Sequence, residues 1–220
     1  MEIVNKIGVV LFLLLVSACG EAGDIINDIL GGDVGGSGQC AGATETGSCV
    51  RIEKIVPQYS AKDSSDVDVA RDICNLFEVQ KTPGTEPKLE TFTDHSAKLT
   101  ITNRPMPGVD DRDISDITLE RYQIQYRNNR CPVGACPRIS DLLVSPGETF
   151  VVRVDGSIEI TLPFVPLSSK FEYENSGGPL LDFPSYTATY TLTGTDSFKN
   201  PVAVSGSTEF TIGNYDYCAS

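Results

Sequence analysis

Asp94, His95 and Ser96 stand side by side, and these are the three residue types with which a hydrolase activates a hydroxyl nucleophile. His95 is the chain's one histidine. Adjacent residues of a strand point to opposite faces, so the three cannot pass a proton among themselves. No Gly-x-Ser-x-Gly elbow is present to offer a serine. The segment therefore reads as a solvent-exposed histidine at the start of a strand. A second grouping, Asp110, Asp111, Asp113 and Asp116, crowds the loop before the run that begins at Ile117. Hard oxygen ligands so close together suit Ca²⁺, which takes about 6–8 oxygens. The spacing is not that of an EF-hand loop, and aspartates at loop ends also form turns, so a solvated loop is the simpler reading. The cation alternative joins Asp111 and Asp113 with Asp196 from another loop; no other cofactor is implied.

The N-terminus sets where this chemistry would operate. A short start carrying Lys6 leads into the apolar run Ile7–Val16, and Ser17 and Ala18 are small, which is the three-part build of a secretory signal over residues 1–18. Ten apolar residues rise only about 15 Å as a helix, half of a bilayer core of about 30 Å, so the run is too short to span. The tetrad Val16-Ser17-Ala18-Cys19 resembles the lipobox of bacterial lipoproteins. That resemblance implies cleavage before Cys19 and acylation of Cys19, with enough chains for stable anchoring. Gly20 follows where an aspartate often signals retention at the inner membrane, so the resemblance implies an outer-membrane location.

Six cysteines remain beyond Cys19: Cys40, Cys49, Cys74, Cys131, Cys136 and Cys218. In an oxidising compartment an even set reads as up to three disulfides. Proximity favours Cys131–Cys136 across Pro-Val-Gly-Ala and Cys40–Cys49 across a Gly-containing loop, leaving Cys74–Cys218 to tie the chain's end to an early segment. Zinc and haem attachment fit poorly, because there is no Cys-x-x-Cys pair and one histidine only. The net charge of −13 argues against nucleic acid, whose phosphates want Lys and Arg, and against electrostatic docking on anionic lipid.

These residues must be positioned by strands. Residues 20–48 hold nine glycines and read, with Cys19, as a flexible tether reaching about 30 Å. From Cys49 to Ser220 the apolar residues recur with period two. Val50–Val56 reads as a first strand ending at Pro57, Asp66–Ile73 as a second, and residues 79–89 as a loop. Ile117 and Leu119 lie in odd phase whereas Tyr122, Ile124 and Tyr126 lie in even phase, which predicts a bulge or a strand switching faces near Glu120-Arg121. Asp155-Gly156 between two alternating runs predicts a type I′ hairpin. Tyr186, Ala188, Tyr190 and Leu192 alternate with threonines, and the chain returns through Val202, Val204, Phe210 and Ile212. Tyr173, Phe183 and Tyr186 flank Gly177-Gly178-Pro179, a candidate recognition patch, although alternating aromatics more often fill a core.

Seven to nine short strands without a long helix describe an all-β fold, an antiparallel β-sandwich. The segment Thr187–Thr211, with Gly-Thr-Asp and Asn-Pro at its turn, resembles the closing hairpin of bacterial immunoglobulin-like and fibronectin-like surface domains. The chain has no Trp, so the Trp-against-disulfide core of antibody domains is absent and the resemblance is one of architecture. The reading is a lipid-anchored, non-catalytic binding or scaffolding module, with an envelope protein or a glycan as partner and no nucleic acid. Its rivals are a calcium-dependent adhesion or carbohydrate-binding module and a hydrolase built on His95.

Overall fold

The computed structural model describes residues 47–106, 114–132, 134, 136–144 and 149–218. The chain divides between Gln39 and Cys40, and every described residue belongs to the second unit. The signal at 1–18, Cys19, Cys40, Asp110, Asp111 and Asp113 all lie outside the described residues.

Among the described residues, ten strands form two sheets: β1 (Ser48–Tyr59), β2 (Lys62–Asp63), β3 (Asp66–Asp68), β4 (His95–Pro105), β5 (Ile117–Arg130), β6 (Leu142–Val144), β7 (Phe150–Val152), β8 (Gly156–Val165), β9 (Ser185–Asp196) and β10 (Pro201–Gly213). Two short helices of the described residues, α1 (Leu76–Lys81) and α2 (Leu167–Asn175), lie between them. One sheet has the order β2-β1-β4-β8 and the other β3-β10-β9-β5-β6, with β7 also on β5. The count exceeds the expected seven to nine because strands of two or three residues, such as β2 and β6, are too short for periodicity to register. The core lies between the sheets: Ala97, Leu99 and Ile101 of β4 and Leu162 and Phe164 of β8 face Ile117, Leu119, Tyr122 and Ile124 of β5 and Tyr190 and Leu192 of β9.

The period-two reading explains most of this. The β9–β10 pair is a long antiparallel hairpin running from Thr195↔Pro201 to Ser185↔Thr211. Its alternate positions Tyr186, Ala188, Tyr190 and Leu192 are buried. On its outer face Thr189 bonds Ser207 at 2.9 Å and Thr191 bonds Ser205 at 3.0 Å, cross-strand pairs of the kind that stabilise a sheet. The register shift between Leu119 and Arg121 is the bulge expected near Glu120-Arg121. Gly194 sits across from it, where an added Cβ would stand 1.9 Å from the Thr118 carbonyl oxygen. The bulge brings two backbones together, and only glycine fits between them.

Several expectations are corrected. β1 does not end at Pro57 but runs through it to Tyr59. The Pro57 carbonyl accepts the Ser64 N–H at 2.9 Å on the side away from β4, so the missing proline N–H also falls on the β2 side and removes no bond between β1 and β4. The Asp66–Ile73 strand shrinks to β3, which pairs in parallel with β10, so the sandwich is not wholly antiparallel. Helix α1 extends into the expected loop at 79–89. Asp155-Gly156 is not a hairpin within one sheet, because β7 lies on β5 and β8 lies on β4. The turn closes through Gly156 N–H to the Arg153 carbonyl at 2.9 Å, with Asp155 at φ 52°, and carries the chain from one sheet to the other.

Candidate functional site

One end of the sandwich concentrates the groups capable of chemistry. There β1 ends at Tyr59, β4 begins at His95, β8 ends at Val165 opposite His95, and α2 begins. The C-terminal residues 214–218 cross this end as a strap.

His95 is wholly buried, which overturns the expectation of a solvent-exposed side chain. Its Nε2 lies 3.0 Å from the Asp66 carbonyl oxygen. A carbonyl can only accept, so Nε2 carries the proton and Nδ1 is bare; Nδ1 is buried with no hydrogen-bond partner among the described residues. The ring stacks on Tyr59 at 4.6 Å between centroids, and Tyr59 stacks on Tyr217 at 4.4 Å. Burial, reinforced by the positive charge of Lys170, pushes His95 down to about 3. The imidazole is thus a neutral packing element. Asp94 points elsewhere. Its Oδ1 accepts the Leu167 N–H at 2.6 Å, capping α2, whose N-cap residue Pro166 makes no side-chain cap of its own. Asp94, His95 and Ser96 are not brought together.

Lys170 enters from α2, and its side chain is also wholly buried. Its Nζ donates to the Thr93 carbonyl at 2.7 Å and lies 4.5 Å from the Phe92 ring centroid and 5.5 Å from that of Tyr59. Those ring faces and one carbonyl replace water around the ammonium. Burial pulls its amine down to about 8, against the attraction of Asp68, Asp94 and Glu90.

Asp68 and Glu90 complete the group, both buried. Asp68 Oδ1 accepts the N–H of Ala70 at 3.3 Å and of Tyr215 at 3.0 Å. Glu90 accepts the N–H of Asp72 at 3.0 Å on Oε1 and of Tyr217 at 3.2 Å on Oε2. Sequence reasoning missed all three: Asp68 falls on the polar phase of the expected Asp66–Ile73 strand, and Lys170 and Glu90 are charged residues with no local signal of burial.

A metal is a poor fit here. Ligand atoms of Glu90, Asp216 and Cys218 lie within 4.8 Å of one another. Yet the Cys218 sulfur is committed to Cys74, both Glu90 oxygens accept amides, and Asp216 Oδ1 accepts the Cys218 N–H at 2.8 Å. A shallow depression of about 220 Å³ lies over the disulfide, lined by Asp72, Ile73, Cys74, Leu76, Asp216 and Cys218.

The remaining candidates are placed as follows. Cys74 and Cys218 are joined with Cα atoms 5.1 Å apart, and Cys131 and Cys136 with Cα atoms 5.6 Å apart. Cys49 is also disulfide-bonded; its expected partner Cys40 lies outside the described residues. Asp196 is buried and caps its own turn, accepting Phe198 N–H and Asn200 N–H on Oδ1, both at 2.8 Å, and Asn200 Nδ2 on Oδ2 at 2.9 Å. Its expected companions Asp111 and Asp113 are not described. Tyr173 and Tyr186 are core residues, whereas Phe183 is partly exposed. Gly178 packs so closely on Tyr173 that a Cβ there would stand 2.3 Å from the ring.

Compared with known proteins, the chain matches no protein-family model and no curated relative in sequence.

Proposed function

We propose that the chain is a lipid-anchored protein of the bacterial cell envelope whose immunoglobulin-like β-sandwich is a non-catalytic binding or scaffolding module. The observation that carries this reading is the direction in which the reactive side chains are used. His95, Lys170, Asp68 and Glu90 are all turned inward, to close one end of the sandwich and hold the strap. The outer face of β9 and β10 presents threonine and serine, a surface suited to contact rather than to bond-breaking.

The immunoglobulin-like assignment is supported by strand order. In such sandwiches a sheet containing A, B and E packs on one containing G, F and C, extended by C′ in the variable type. Here β1-β4-β8 packs on β10-β9-β5-β6, the same sequence of neighbours. Anchoring is supported by Val16-Ser17-Ala18-Cys19, and an outer-membrane destination by Gly20. No helix among the described residues is long and apolar enough to cross a membrane.

The partner is another envelope protein or a glycan. Crosslinking and pull-down from intact envelopes tests this, with a Cys19→Ser variant as control. The reading expects a stable crosslinked partner, and a shift of the variant from the membrane to the soluble fraction. A calcium-dependent rise in melting temperature together with calcium-dependent glycan retention would favour an adhesion module instead. Hydrolytic turnover lost in His95→Ala would overturn the non-catalytic reading.

A further inference from the structure

Three arginines stand along one strand of an acidic protein. Arg121, Arg127 and Arg130 of β5 are exposed and pair across the sheet with Thr193, Thr187 and Ser185 of β9. Those partners alternate with the buried Tyr186, Ala188, Tyr190 and Leu192, so all three arginines belong to the outer face. Gln123 and Gln125 lie between them in the same phase, opposite Thr191 and Thr189. The strip is about 30 Å long at about 3.4 Å per residue. Beside Gln123, Leu143 of β6 is 78% exposed.

The charge balance of this strip is unlike that of the rest of the chain. The net charge is −13, yet β5 sets three arginines against Glu120 alone. On the other sheet Lys98 is paired with Glu159 at 3.1 Å. Along the strip no arginine has an ion pair among the described residues. Glu209 of β10 shares a row with Arg127, but it accepts from Asn129 Nδ2 at 3.4 Å instead. A guanidinium offers a planar fork of donors that fits a carboxylate through two hydrogen bonds, and amides and hydroxyls suit the hydroxyls of a sugar.

We propose that this strip binds an acidic polysaccharide, one extended chain lying along β5 with its carboxylates on Arg121, Arg127 and Arg130 and its hydroxyls on the glutamines and the β9 threonines. The proposal rests on the reading of the sandwich as a binding module and gives that module its class of ligand.

Other anionic partners match the strip less well. A membrane surface presents its charge to a whole side of the molecule, and the net charge of −13 opposes that approach. A thread touches the strip alone, and screening over about 8 Å in physiological salt hides the more distant acids. Single-stranded nucleic acid is held by aromatic side chains on which its bases stack, whereas Tyr122, Tyr126, Tyr186 and Tyr190 of β5 and β9 are turned to the core. A second copy of the chain brings the same negative charge, so two copies repel.

Calorimetry of the full chain, disulfides intact, with alginate (a polymer of uronic acids) at low ionic strength tests this, with neutral dextran as control. Saturable binding to alginate is expected, weakening several-fold as salt is raised, with none to dextran. Arg121→Gln, Arg127→Gln and Arg130→Gln should each weaken binding about two- to five-fold, and the three together about ten-fold or more. Glu209→Gln, which removes an opposing charge, should tighten it about two-fold. No binding to alginate, equal binding to dextran, or an unweakened triple variant overturns the proposal. So does tighter binding to polyuridylate or to vesicles of equimolar phosphatidylglycerol and phosphatidylcholine, or an arginine-dependent dimer in sedimentation. Should the triple variant fail to fold, the single variants, each at an exposed position, decide. The two readings fail separately: an envelope protein crosslinked without any alginate binding removes this ligand and leaves the module, whereas alginate both bound and cleaved keeps the strip and removes the non-catalytic reading.

Discussion

Replacing His95 by phenylalanine isolates the energetic consequence of burying the chain's one imidazole. Phenylalanine keeps an aromatic ring on Tyr59 but loses the 3.0 Å bond from Nε2 to the Asp66 carbonyl. That loss should cost about 1 kcal/mol at neutral pH. Acid reverses the ranking. The folded chain holds His95 neutral down to about 3, against an ordinary 6.5. A folded-state value lowered in this way gives stability that is full above 6.5 and is surrendered as the pH falls, because the unfolded chain takes up a proton that the folded chain refuses. Between pH 6.5 and pH 4 this amounts to about 3 kcal/mol. Asp68, whose carboxyl burial pushes up to about 7, acts in the opposite sense over the same range, but acts alike on parent and variant, so it cancels in the difference. The variant should therefore be about 1 kcal/mol less stable at pH 7, about 2 kcal/mol more stable at pH 4, and equal to the parent near pH 6. Urea unfolding at a series of pH values measures this directly. Parallel curves, or a variant less stable throughout, would show that the ring titrates freely and that the account of its burial is mistaken.

Two further perturbations probe the scaffold. Cys218→Ser opens a loop of sequence separation 144, and the chain-entropy account puts the loss at up to about 5 kcal/mol; a loss below about 1 kcal/mol in urea unfolding would show that the strap contributes little to the folded state. Gly194→Ala forces a Cβ to within 1.9 Å of the Thr118 oxygen and 2.8 Å of Leu119 Cα, both backbone atoms that cannot step aside cheaply. It should cost about 3 kcal/mol, and an unchanged melting temperature would contradict the close approach at the bulge.

Much of the architecture was legible because period-two alternation reports burial directly. The phase change at Glu120-Arg121 located a bulge, and the Tyr186–Ile212 stretch located the closing hairpin, since both are local properties of strands with one buried face. Cys74–Cys218 emerged by elimination among the cysteines. What failed depended on the third dimension. Alternation before and after Asp155-Gly156 identified strands correctly but carried no word of which sheet each would join, and the turn proved to be a crossing between sheets. Pro57 read as a stop because the β4 pairing that carries β1 past it, Pro57 with Ala97 and Gln58 with Ser96, comes from residues far along the chain. His95 read as exposed because its burial is imposed by Tyr59, Tyr217 and Lys170, separated from it by 36 to 122 positions. Asp68, Glu90 and Lys170 carry the chemistry of the candidate site, yet each is a charged residue in an ordinary local context, and only the folded end of the sandwich makes them a group.

The central proposal is that this sandwich is held at a membrane by lipid on Cys19 and serves as a module for contact. Intact-mass analysis of the processed chain purified from membranes tests it most directly. The account predicts a polypeptide beginning at Cys19 and carrying acyl chains, with the downstream cysteines oxidised. A chain that begins elsewhere, or begins at Cys19 without lipid, would contradict it.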